Sequence, residues 1–200
     1  MYLRTMDQLA ASGQIDVERI ATQGHSRGGA AILSALCMAR HTGFTAKMCA
    51  AYAAYPWSGQ QFLNPLVGTT KVRSVVGDQD EWCSAQQIQG QIQAIRLAGG
   101  EASCRIFEGA HHSFDRETPV ELVAEASVAR GAPTIYIDDT GASIHPVTGV
   151  ADPEVSERDL MLYGIKAGYG KRGAKLGTSG DLAAEFHDDM MAFWKRCLQA

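Results

Sequence analysis

Gly24-His25-Ser26-Arg27-Gly28-Gly29 decides how the rest of the chain is read. An apolar stretch, Ile20-Ala21-Thr22, precedes it, and a long Ala- and Leu-rich segment follows. That succession reads as strand, sharp turn and helix, with a serine at the apex of the turn. Gly-x-Ser-x-Gly in this setting is the pattern of a nucleophile elbow. The turn is expected to be so tight that a side chain at position 24 or 28 would strike the serine's backbone, hence glycine at both. Ser26 Oγ would project clear of the turn, where the helix presents its positive end and its first N–H groups. The backbone N–H of Arg27 would then face the oxygen that becomes negative in acyl transfer. A glycine-rich turn with a chance serine explains the motif by itself equally well, so the decision rests on what lies around it.

Outward from the elbow, strands alternate with helices. Upstream, residues 2–11 place Leu3, Met6, Leu9 and Ala10 on one side of a short helix closed by Ser12-Gly13, and 19–23 form the strand. Downstream, 29–40 is a helix ended by Gly43, whose Ala30, Ala31, Ala35 and Ala39 let it lie close to a sheet. The near-continuous small apolar character of the strand at 19–23 suggests burial on both faces, and further strands are read over 46–54, also buried, 72–76 and 102–107. Ser84 caps a helix running to Leu97, Gln87 completes a capping box, and Gly99-Gly100 stop it. The alternation implies right-handed βαβ units, a parallel sheet and an α/β fold. Beyond Asp115 the rhythm changes. Residues 120–129 read as helix, 134–137 and 142–145 flank a hairpin turn at Asp138-Asp139-Thr140-Gly141, and 156–167 read as a short helix. A Gly- and Lys-rich loop then runs to Gly180, before a last helix that buries Leu182, Phe186, Met190, Phe193 and Cys197. The expected organisation is one domain over 1–200: a catalytic core in 1–116, an irregular excursion in 117–180 and a helix in 181–200.

Length and composition agree with one domain, since 46% of the 200 residues are apolar. A net charge of −4 without a basic block speaks against nucleic acid as a partner, and no apolar run is long enough to cross a bilayer. The five cysteines (37, 49, 83, 104 and 197) follow no metal-ligand spacing and read mostly as buried free thiols, although one disulfide would fit the count. Compartment stays open.

Reacting groups of an open parallel sheet gather at the carboxyl ends of its strands. Three of those ends carry Ser26, Asp80 or Asp78, and His112 or His111. A serine hydroxyl needs a histidine to take its proton as it attacks, and a carboxylate to fix and stabilise that imidazole. His25, Tyr55, Trp57, Trp82 and Phe114 lie beside the same ends and are the candidate substrate-binding residues, with ordinary packing as the alternative. Neither the histidines nor the acids have metal-ligand spacing, so no metal or other cofactor is expected. Gly168-Tyr169-Gly170-Lys171-Arg172-Gly173 matches a dinucleotide fingerprint formally, but it follows no strand and is read as a loop. The basic face of Lys166, Lys171, Arg172 and Lys175 is read as solvated.

Asp16-Val17-Glu18-Arg19-Ile20-Ala21, the elbow, Gly77-Asp78-Gln79-Asp80 and Gly109-Ala110-His111-His112-Ser113-Phe114-Asp115 together resemble the dienelactone hydrolase family of α/β-hydrolases. The likeness covers about residues 1–116 and extends to the last helix. Ser, Asp, His is the chain order of that superfamily. The resemblance selects Asp80, three residues after the glycine of Gly-x-x-Asp, and His112, which precedes a small residue and Phe114. Dienelactone hydrolase itself uses cysteine where this chain has Ser26, so the resemblance implies a serine hydrolase of small-molecule esters rather than of dienelactone. A peptidase or an acyltransferase would use the same three groups, and an inactive interaction module could retain them. Family members carry several strands before the elbow, whereas here about half the sheet, with its second oxyanion donor, is absent. The expectation is therefore the C-terminal half of the fold, with about four strands. The missing half would be encoded upstream, or a second copy or another chain would complete the sheet. The chain alone would then be poorly stable or weakly active.

Overall fold

A computed structural model describes residues 2–42 and 47–199. Its centre is a four-stranded parallel sheet in the order β1 (Ala21–His25), β2 (Ala50–Ala54), β4 (Lys71–Gly77), β5 (Ala102–Phe107). The strands expected around 19–23, 46–54, 72–76 and 102–107 are these four. The first lies two residues further on, because a 3-10 turn, Val17–Arg19, precedes it. Gly43 and Ala46, expected as a helix stop and a strand start, lie outside the described residues.

All five residues of β2 are buried, because helices cover the sheet on both faces. Alternation along the strand sends Ala51 and Ala53 towards Ile32, Leu33 and Leu36 of α2 (Arg27–Thr42) and Ile92 and Ile95 of α3 (Ala85–Leu97). Ala50, Tyr52 and Ala54 meet Phe186 and Phe193 of α5 (Leu182–Leu198) on the other face. Each large apolar side chain buried this way contributes about 1.5–3 kcal/mol. Leu182, Met190 and Cys197 pack partly buried against the same core. β1 is an outer strand of this sheet, the position where the expected missing neighbour would pair.

Ser84 caps α3 by accepting the Gln87 N–H, as expected. The Gln87 amide does not complete a capping box; it reaches Ala132 O and Thr134 Oγ1 and ties the following excursion to the helix. In that excursion β7 (Ile135–Ile137) and β8 (Ser143–Ile144) form the expected hairpin, flanked by β3 (Gln60–Phe62) and β9 (Ala151–Asp152). α4 (Glu157–Lys166) opens on a complete capping box between Ser156 and Asp159.

Two expectations fail together. Residues 120–129 are not a helix, and 171–176 are not a loop: β6 (Glu121–Val128) and β10 (Lys171–Leu176) pair antiparallel, with a bulge at Gly173. Each strand has a partner far along the chain, and their ladder overrides the helix-forming residues of β6. Ala126, Val128 and Ala174 form their own small core under Trp82. All five cysteines are free, and burial pushes the thiols of Cys37 and Cys104 up to about 12 and about 11.

One carboxylate fastens α5 to the sheet. Asp189 accepts from Arg73 Nε at 2.8 Å, Tyr52 Oη at 3.1 Å and Arg105 at 3.2 Å. Burial by itself would raise its carboxyl, but the bonds and charge of Arg73, then Arg105 and Tyr52, hold it below the usual range. D189N is expected to cost about 3 kcal/mol, the lower end for a broken buried pair, because Arg105 is partly exposed. Since the folded value lies below the unfolded one, that stabilisation is complete above about pH 5 and fades as pH falls below about 4. Urea melts of both proteins at pH 7 and pH 3 check this: the gap between them should narrow at the lower pH.

Candidate active site

Ser26 joins β1 to α2 with φ 52°, a left-handed conformation that is strained for a side-chain-bearing residue. Its N–H donates to Ala54 O at 2.9 Å, and its carbonyl accepts from Ala30 N at 3.0 Å and Trp57 N at 3.2 Å. Arg27 opens α2, so its backbone N–H lies in the helix's first turn. Gly24 and Gly28 turn out to differ. A Cβ on Gly24 would lie 2.4 Å from Gly28 O, whereas a Cβ on Gly28 would meet nothing within 4 Å. Crowding demands glycine at 24 alone.

The loop after β4 carries both candidate acids, and their side chains do different work. Asp78 accepts the Gly109 N–H at 2.7 Å and closes the turn of the histidine loop. Asp80 is wholly buried; one carboxylate oxygen accepts from the N–H groups of Trp82 and Cys83, both at 2.8 Å. Its other oxygen lies 2.8 Å from His112 Nδ1. The Nε2 of His112 is 3.1 Å from Ser26 Oγ. Ser26, His112 and Asp80, drawn from three strand ends, thus meet in one hydrogen-bonded line. The loops approach so closely that a Cβ on Gly77 would sit 1.9 Å from Ala110 O. His111, the rejected neighbour, is half-buried, and its Nδ1 has no hydrogen-bond partner among the described residues.

The five candidate substrate-binding residues divide. The ring of Trp82 stacks on His112, with centroids 5.5 Å apart and planes at 22°. Trp57 is half-buried beside the elbow. Phe114 is fully buried against Phe107, Tyr55 and Phe186, so it belongs to the core. Tyr55 is also core, its ring set edge-on to His112 at 4.6 Å and its hydroxyl bonded to Asp115. His25 has both ring nitrogens engaged, one by Tyr55 and Asp115 and the other by Gln23. Burial pushes Asp115 up, but the bonds from His25 and Tyr55 outweigh it and leave that carboxyl below the usual range. A cleft of about 370 Å³ opens at the opposite edge of the sheet, between Lys71, Ser103 and Arg196.

Residues 3–135 match the model of the dienelactone hydrolase family. The chain belongs to the dienelactone hydrolase family. Among curated proteins none matches it. Among solved structures it is similar to a Klebsiella pneumoniae protein described as a dienelactone hydrolase, at 23% identity and TM-score 0.45 over 56% of this chain and 48% of that one. It is also similar to an esterase of Thermogutta terrifontis with propionate bound, at 19% identity and TM-score 0.46 over 57% and 53%. An esterase/lipase from an uncultured bacterium matches at 13% identity and TM-score 0.48 over 56% and 52%. The chain spans about half the length of these structures. The family match takes in the elbow and both loops but ends before β10.

Cys83 is the site residue that the sequence reading passed over. Its sulfur lies within 4.8 Å of the facing donor atoms of Asp80 and His112. By proximity these three could hold a soft cation. Burial, and then the Asp80 charge, push the thiol well above its ordinary value, which opposes the thiolate a metal needs. Only its position three residues after Asp80 hinted at a place here.

The glycine geometry makes a separable prediction. G24A should destabilise the protein by about 1–3 kcal/mol, as overpacking does. G28A, with room and in a helix, should leave stability within about 1 kcal/mol. Thermal melts of the two variants check this, and equal losses would contradict it.

Proposed function

We propose that this member of the dienelactone hydrolase family is a serine hydrolase that cleaves small-molecule carboxylic esters through an acyl-enzyme. The observation that carries the reading is the unbroken line from Ser26 Oγ to His112 Nε2 at 3.1 Å and from His112 Nδ1 to Asp80 at 2.8 Å. In this reading His112 takes the Ser26 proton as Oγ attacks the ester carbonyl, and the Arg27 N–H stabilises the oxyanion. Collapse of the tetrahedral intermediate expels the alcohol, which leaves with the proton His112 holds. Water, deprotonated by the same imidazole, then releases the acid and restores Ser26. Asp80 needs no reorganisation to do its part, because two backbone N–H groups already aim its carboxylate. Cys83 stays a thiol beside Ser26 and does not compete as nucleophile, since the thiolate is the reactive form.

A fluorophosphonate probe should label Ser26 in the folded chain, and p-nitrophenyl acetate should be turned over. S26A should abolish labelling, and H112A and D80N should each lower kcat by roughly 10⁴-fold. Folded protein whose Ser26 stays unmodified, or a D80N variant with unchanged kcat, would remove the assignment.

A further inference from the structure

The β6–β10 ribbon grips both loops that carry the line of hydrogen bonds. Gly177 N, one residue past β10, donates to His112 O at 2.8 Å, and Leu176 bridges to His112. On the acid loop, Trp82 Nε1 donates to Lys175 O at 2.9 Å, and Glu81 accepts the Lys175 N–H at 2.7 Å. Lys171 Nζ adds an ion pair to Glu81 at 3.4 Å. Consecutive residues of this loop therefore bind in two directions, Asp80 to His112 and the next two, Glu81 and Trp82, to β10. Trp82 does both, because its ring also lies nearly flat on the imidazole while Tyr55 meets that imidazole edge-on.

We propose that Trp82 is a positioning residue for His112, and that Glu81 fastens β10 so that the acid loop and the histidine loop keep one fixed separation. The inference rests on the hydrolase reading above. An imidazole that must first face Ser26 and then a leaving alcohol has to stay in one plane through the cycle. Trp82 covers one face of the ring and Tyr55 bounds it, so Nε2 is held toward Ser26 while Nδ1 stays on Asp80. An aromatic face also attracts the imidazolium that forms as Ser26 attacks. β10 lies beyond the family match, so the brace comes from a part of the chain outside the matched residues.

The test is kcat and KM for p-nitrophenyl acetate, with melting temperatures, for the wild-type chain, W82L, W82F, E81A and E81Q. Misplacement of a reacting group by about 1 Å costs up to about 10²-fold. W82L should therefore lose about 10–100-fold in kcat with KM within about twofold. W82F, which keeps a ring over the imidazole, should recover to within about threefold of wild type. E81A should lose about 3–10-fold, and E81Q, which still accepts the Lys175 N–H, should restore it. Wild-type kcat in W82L overturns the proposal, as does W82F as impaired as W82L, or a loss confined to KM. Should W82L not fold, the proposal falls if E81A keeps the wild-type kcat or E81Q fails to restore it. A wild-type chain that neither turns over ester nor labels at Ser26 fails the hydrolase reading and takes this inference with it. Positioning alone fails when the wild type is active and the variants match it.

Discussion

The parallel hydrogen-bond ladder of the central sheet continues one residue past its strands. Ser26 donates to Ala54 at the end of β2, Tyr55 to Val75 near the end of β4, and Asp78 to Phe107 at the end of β5. Each loop is therefore held at a height set by the next strand, and the three loops descend from one edge like steps. This extension lets the sheet hold strained residues at their turns: Ser26 at φ 52° and Tyr55 at φ 35° are both left-handed without being glycine. Such conformations cost of order 1–3 kcal/mol each and persist only where the surroundings over-determine them. Here the ladder bonds and the packing of α2 and α5 do so.

Buried charge is the second constraint. A carboxylate fully removed from water is costly unless donors surround it. Asp80 has three, two from its own loop and one from His112, so its burial is tolerable only while the histidine loop stays in place. The contact of Gly77 with Ala110 and the bond from Gly109 to Asp78 keep it there from beneath. The ribbon closes from above. The geometry of the candidate site is thus a property of three loops together rather than of any one motif.

Much of this was legible in the sequence because local signals and the topology agreed. Apolar runs ending in glycine and polar residues gave the four parallel strands, and Leu182, Phe186, Met190 and Phe193 at helical spacing gave α5. The elbow and the order of the strand ends brought Ser26, an acid and a histidine to one edge. Spacing alone did not separate Asp80 from Asp78 or His112 from His111; the family resemblance did, and the hydrogen bonds give each aspartate a distinct partner. What remained illegible depended on non-local contacts. β6 is rich in Glu, Ala and Leu, and only its distant partner β10 makes it a strand. Phe114 and Tyr55 sit beside the strand ends in sequence, yet nothing local says that α5 buries one of them and the hydroxyl network the other. Gly28 matches the motif for a reason that crowding does not supply.

The most direct test of the account is a crystal structure of the chain after reaction with a fluorophosphonate. The expected result is phosphorus bonded to Ser26 Oγ, a phosphonyl oxygen within hydrogen-bond reach of the Arg27 N–H, and His112 still bridging to Asp80. Phosphorus on another residue, or His112 turned away from Ser26 with Asp80 left unpaired, would contradict it.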